Sequence, residues 1–234
     1  MKKQRIDGEE TRNKLLVAAA EVFAKKGFWE TTNADICGRA GTNIAAVNYH
    51  FRSKENLYIE AWKYSFEKAT TKYPPDGGIS PEAPIQKRLH GRVLSFMQRV
   101  ADPEMHDIEI MHKEMANPTG LFTEDIINTI EPIQSVFESV FKDLLGDSVS
   151  EQQIHFCHMS VISQCFGPML HLRHIRTESE SPLVSAKKSF IPAKLPIQFN
   201  IEELASHITQ FSLVGIMGIR KENKKTTKKS HKSR

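Results

Sequence analysis

Residues 48–54 read Asn-Tyr-His-Phe-Arg-Ser-Lys and gather an amide, a phenol, an imidazole and two cations within about two helical turns. Their chemistry is recognition. An amide can pair bidentately with adenine, while phenol, imidazole and ammonium groups can donate to phosphate oxygens. A second set, His155/His158 and His171/His174, is spaced i, i+3, which puts each pair on one helical face. With a glutamate or cysteine nearby such a pair could bind zinc, but no HExxH motif or ExxH repeat accompanies them and no metal is expected. Cys37, Cys157 and Cys165 lack metal-type spacing, and so sparse and odd a count fits a reducing cytoplasm. Cys157 and Cys165 are expected as buried structural thiols rather than a redox switch. No Ser-His-Asp order, P-loop or glycine-rich fingerprint is present, so neither a catalytic residue, a cofactor nor an enzyme is expected.

The elements that hold these residues are helical. Strand signals are nearly absent, and apolar residues recur at helical spacing almost throughout. Leu15, Leu16, Ala19, Val22 and Phe23 share one face of a first helix that should end at Gly27. Thr32 is a good N-cap for a short second helix running to about Arg39. Gly41 permits a turn, and Asn43 can cap a third helix over about 44–51. Ser53 can cap a fourth, which runs on to Tyr73.

Helix, short helix, glycine-containing turn and short helix form a helix-turn-helix layout. Phased at about 100° per residue, Ile44, Val47 and Phe51 fall on one face and should pack on the first two helices. Ala45, Ala46 and Tyr49 then point outward, with Asn48 and His50 on the flanks. A smooth outward face about 12 Å long suits a DNA major groove about 12 Å wide. The alanines allow close approach, Asn48 can read adenine, and Tyr49 and His50 can donate to phosphates. Lys54 and Thr32 stand beside exposed backbone amides at helix starts, which favour an anion. The same pattern also suits a generic helical hairpin with alanines on an uncrowded surface.

TTNADICGRAGTNIAAVNYHFRSKENLY (31–58) resembles the helix-turn-helix signature of the tetracycline-repressor (TetR) family of bacterial transcription regulators. Thr32, Asp35-Ile36, Ala40-Gly41, His50-Phe51, Ser53-Lys54-Glu55 and Leu57 carry the likeness. It implies an all-helical dimer, a reading helix at 44–50, and phosphate contacts from Thr32, His50 and Lys54. The family commonly places tyrosine where Asn48 stands and glycine where Ala45 stands. NIAAVNYHF, with EMANPT at 114–119, also resembles the CecR-like subfamily.

YPPDGGISPEAP (73–84), with four prolines and two glycines, reads as a boundary. The expected organisation is a DNA-binding domain over 1–58, a connecting helix over 54–72, and a ligand-binding and dimerisation domain over 73–219. The remainder, 220–234, reads as a disordered basic tail. Helices are expected at about 84–101, 104–116, 121–145, 150–175 and 201–219, with Pro132 and Pro168 kinking or splitting theirs and a long loop over 176–200. Residues 1–60 hold 10 Lys/Arg against 8 Asp/Glu, 61–219 hold 14 against 19, and 220–234 hold 8 against 1. Basic charge at the ends and acidic charge between suggests a polyanion, here double-stranded DNA, met by the ends.

Met and Phe at helical spacing in the second domain are core in the first instance. The resemblance implies a small-molecule effector among those helices, and Phe96, Met111, Glu114, Met115, Phe137, Met159 and Phe166 are its candidate contacts. Glu114 could orient a ligand, pair with Lys113, or cap the bend before Pro118. The last two long helices, 150–175 and 201–219, carry apolar residues on more than one side, and Ala205, Ile208, Phe211, Gly215 and Gly218 suit close packing, as in a homodimer. The most apolar late stretch, 211–219, is 9 residues, too short for a bilayer, and no signal peptide or membrane association is expected. A second possibility is a helical small-molecule-binding or scaffold protein whose DNA module is degenerate.

Overall fold

The computed structural model describes residues 2–146, 149–179 and 200–232, with side chains over 8–124, 126–146, 149–168 and 200–223. The described residues form helices and turns, with no strand among them. The helices are α1 (Lys2–Glu30), α2 (Asn33–Ala40), α3 (Ile44–Phe51), α4 (Lys54–Lys72), α5 (Ile85–Ala101), α6 (Asp107–Ala116), α7 (Glu124–Leu145), α8 (Glu151–Ser179) and α9 (Ile201–Lys232).

The chain forms two compact units, one of Met1–Lys72 with Glu104–Thr129 and one of Tyr73–Pro103 with Ile130–Arg234. The sequence suggests one crossing at 73. In the structure α6 returns to the first unit and packs on α1 and α4.

In the first unit Leu15, Leu16, Ala19, Val22 and Phe23 are buried as their spacing predicts. They meet Ile36, Val47, Phe51, Leu57, Tyr58 and Trp62. Each large apolar side chain removed from water contributes about 1.5–3 kcal/mol. Phe23 and Phe28 pack around Tyr58, and Phe122 contacts both Tyr58 and Trp62. The expected end of α1 at Gly27 appears as a break inside the helix: Gly27 takes φ 77 and ψ 174, and the helical path resumes to Glu30.

In the second unit α5 packs on α8 and α9 through Leu89, Val93, Met97 and Val100. The Pro- and Gly-rich 73–84 segment is strapped to α5 rather than free. The Ser95 hydroxyl donates to the Pro74 carbonyl at 2.7 Å, and the Tyr73 hydroxyl donates to Asp102 at 2.8 Å. The strap lies so close that a Cβ on Gly77 would fall on the backbone of Gly91, and one on Gly91 would lie 2.5 Å from Ile79 Cγ1.

Three local expectations are corrected and one is narrowed: α7 and α8 run through Pro132 and Pro168 without being split. Each proline removes one amide donor, and the flanking turns keep theirs. The unit boundary nevertheless falls inside α7, between Thr129 and Ile130, within one turn of Pro132. Ile44 is 51% exposed instead of packed. Helical side chains lean toward the N-terminus, so that of the first residue of α3 projects past the helix start, while Val47 and Phe51 lie over turns already formed. The basic stretch expected to be disordered continues α9 to Lys232, because it lacks a helix-breaking proline or glycine. Residues 176–179 of the expected loop extend α8, and 180–199 lie outside the described residues.

All three cysteines are buried and unbridged. Burial pushes the Cys165 thiol up to about 12, which keeps it protonated and unreactive.

Candidate nucleic-acid interface

The interface is built from three caps. At α2, the Thr32 Oγ1 accepts from the Asp35 amide at 3.2 Å, and the Thr32 amide donates to Asp35 Oδ2 at 2.9 Å, completing a capping box. Lys26 bonds the same carboxylate at 2.7 Å and, with the Thr32 donors, holds its pKa down to about 2. At α3, Asn43 Oδ1 accepts from the Ala46 amide at 3.0 Å. At α4, Ser53 Oγ accepts from the Asn56 amide at 3.2 Å. Gly41, at φ 66, supplies the left-handed turn between α2 and α3.

These caps leave α3 with two unlike faces. Val47 and Phe51 are buried. Ala45 and Asn48 are exposed, Ala46 and His50 half-buried, and Tyr49 is 83% exposed with its ring edge-on to His50 at 4.9 Å. A tyrosine that open to water gains nothing from the core, so its phenol is available to a partner.

Two predicted phosphate contacts are engaged internally. The Lys54 ammonium donates to the carbonyls of Phe28 at 3.1 Å and Thr31 at 3.0 Å, and lies 4.1 Å from the Phe28 ring centroid. The Phe28 carbonyl also accepts from the Thr31 amide at 3.3 Å, so Lys54 adds a second donor there and meets the Thr31 carbonyl just past the helix end. The Thr32 hydroxyl donates to Asp35 at 2.8 Å, so an incoming phosphate must compete with that carboxylate.

The sequence reading counted Arg52 only as part of the basic run after the aromatic cluster, and it missed Arg12. Only two residues separate α3 from α4 and neither is glycine, so Arg52 takes φ 68 to end α3, its amide donating to the Asn48 carbonyl at 3.2 Å. Arg52 is exposed at the end of the outward face. Together with Arg12, His50, Phe51, Asn56 and Glu60 it lines a shallow concavity of about 380 Å³. Arg12 bonds Glu60 at 2.8 Å and stacks over Phe51 at 5.2 Å. The legible signal was the missing glycine between Phe51 and Ser53.

The proposed effector contacts divide between the units, Met111, Glu114 and Met115 in the first and Phe96, Phe137, Met159 and Phe166 in the second. Met115 and Met159 are exposed, Phe137 is buried, and Phe96, Met111 and Phe166 are half-buried. Glu114 is buried and fully used. It accepts from the Tyr58 hydroxyl at 3.0 Å and from the Thr119 amide and hydroxyl at 2.8 Å each. It therefore caps the bend, and EMANPT is a closed local loop whose first and last residues bond each other.

Two family models match this chain. Residues 15–61 match the tetR family of bacterial regulatory proteins, and residues 85–216 match the C-terminal domain of the HTH-type transcriptional dual regulator CecR. The second covers more than half of the sequence. The chain belongs to the TetR family of transcription regulators, with a CecR-type C-terminal domain. CecR of Shigella flexneri is 44% identical over 54 residues, 23% of this chain and 24% of that protein. The transcriptional regulator SrpR of Pseudomonas putida is 23% identical over 142 residues, 60% of this chain and 64% of SrpR. The matched stretch thus spans less than two thirds of either relative. A TetR-like regulator from Rhodococcus sp. RHA1 shares the fold at a TM-score of 0.63 and 13% identity, over 89% of this chain and 96% of that one. AibR, solved with isovaleryl coenzyme A and operator DNA, matches at 0.61 and 15%, over 86% and 97%.

Proposed function

We propose that the chain is a homodimeric transcriptional repressor that binds a pseudo-palindromic operator and releases it when a small molecule enters the second unit. The observation that carries this reading is the split of α3 into a buried Val47–Phe51 face and an open face of Ala45, Asn48 and Tyr49. On this reading Ala45 and Ala46 admit the helix to the major groove, and Asn48 reads a base edge. Tyr49, His50 and Arg52 meet phosphates, Thr32 and Asn43 offer the helix starts of α2 and α3, and Lys54 positions the head from within.

Dimerisation is supported by apolar side chains left open on α8 and α9. Phe156 and Met159 on α8, and Phe211, Val214 and Met217 on α9, are exposed. The two helices also border a groove of about 390 Å³ that includes Cys157, Val161, Gly215 and Ile216. A twofold copy laid on this face brings two reading helices to two half-sites. Effector contacts fall to Phe96, Phe137 and Phe166 in the second unit, and a coupling of about 1–3 kcal/mol gives a 5–150-fold response. Among the described residues no helix is long and apolar enough to cross a membrane. The reading is tested by footprinting the full chain on genomic fragments at physiological salt. A short protected palindrome is expected, and equal protection of all fragments counts against it.

A further inference from the structure

Glu138 on α7 and His155 and His158 on α8 converge within the second unit. Their donor atoms lie within 4.8 Å of one another. His155 Nδ1 lies 3.6 Å and His158 Nδ1 3.4 Å from the same oxygen, Glu138 Oε1. These separations are longer than ordinary N–H···O hydrogen bonds of about 2.7–3.2 Å. They match the edges of a tetrahedron of ligands: donors about 2.0–2.2 Å from one ion stand about 3.4 Å apart. His158 Nδ1 is buried and has no hydrogen-bond partner among the described residues, so it is an orphan aimed at the cluster.

The surroundings are those of a ligand set. Gln134 Nε2 donates to Glu138 Oε1 at 2.8 Å, fixing the carboxylate from outside as partners of metal-bound carboxylates do. The rings of Phe137 and Phe141 lie 5.2 and 6.1 Å from the His158 ring and shield it from water. His155 and Glu138 are partly exposed, which leaves an entry path.

We propose that Glu138, His155 and His158 hold a divalent transition-metal ion of the zinc class, tying α7 to α8 and leaving at least one coordination position open. Two imidazoles and a carboxylate suit Zn²⁺ and its neighbours Co²⁺, Ni²⁺ and Fe²⁺, and do not suit Mg²⁺ or Ca²⁺, which take oxygen ligands. From sequence the histidine pair lacked its third ligand, because Glu138 stands 17 residues ahead on another helix. The proposal is independent of DNA binding.

The test uses the full chain, stripped with a chelator and titrated with Co²⁺. The expected result is visible d–d absorption saturating with one ion at this site, bleached by added Zn²⁺. His155→Ala and Glu138→Gln should each weaken binding at least about tenfold, and Gln134→Ala should weaken it by about 10–100-fold as an outer partner. Far-UV helicity of His155→Ala, a change at a half-exposed position, should match wild type and so exclude misfolding. No d–d band in the wild-type chain, or a band unchanged in both His155→Ala and Glu138→Gln, overturns the proposal.

Discussion

At the scale of single residues, the exposed end of α3 trades stability for reach. Arg52 is the one non-glycine with positive φ among the described residues, and a left-handed residue costs roughly 1–2 kcal/mol. Arg52→Gly should therefore raise the melting temperature while lowering DNA affinity, with the salt dependence of binding reduced by about one phosphate contact. A stabilised variant with unchanged salt dependence would remove Arg52 from the interface. Lys54 should behave in the opposite way. Lys54→Ala removes the donor to the Thr31 carbonyl and leaves the Phe28 carbonyl with the Thr31 amide alone, and should cost about 1–3 kcal/mol in denaturant melts, with base preference unchanged. The sequence made Lys54 visible as a cation but not its direction. Direction depends on how the chain turns after α1, which presents the Phe28 and Thr31 carbonyls to Lys54, and that path is not legible from residue types. Ile44 was misplaced because phasing assigns a face without saying where the helix starts relative to the core beneath it.

At the scale of elements, the helices of the head were legible because each start carries its own cap, Thr32, Asn43 and Ser53, and α2 ends at Gly41. The second unit was legible as helices but not as contacts. Proline and glycine in 73–84 announce a break in periodicity, yet say nothing of the strap they make across Gly91. Gly91→Ala should destabilise the chain by about 1–3 kcal/mol, since its new methyl meets Ile79. Gly91→Ala combined with Ile79→Ala should cost less than the sum of the single changes, read from melts of all three variants. Strict additivity would mean that the two groups do not meet. Glu114 teaches the same lesson: its carboxylate looked free to orient a ligand until Thr119, five residues on, and Tyr58, from another helix, closed around it.

At the scale of the whole molecule, the proposed reading has a helix of two turns gain operator affinity through pairing of two heads, with the exposed apolar residues of α8 and α9 as the face a second copy would cover. Phe211→Asp should give a helical monomer in sedimentation and abolish specific binding at dimer-range concentrations, because a charge inside an apolar interface costs several kcal/mol. A dimer that survives this change would move the interface elsewhere.

The central claim is that α3 reads sequence through its open face, and selection from random duplex DNA at physiological salt tests it most directly. The full wild-type chain should enrich a pseudo-palindrome with two equivalent half-sites. Asn48→Ala should keep the half-site spacing while relaxing or changing preference at one position in each half-site, a discrimination of about 1–3 kcal/mol. Enrichment of no common sequence by the wild type, or an identical sequence enriched by Asn48→Ala, would contradict it.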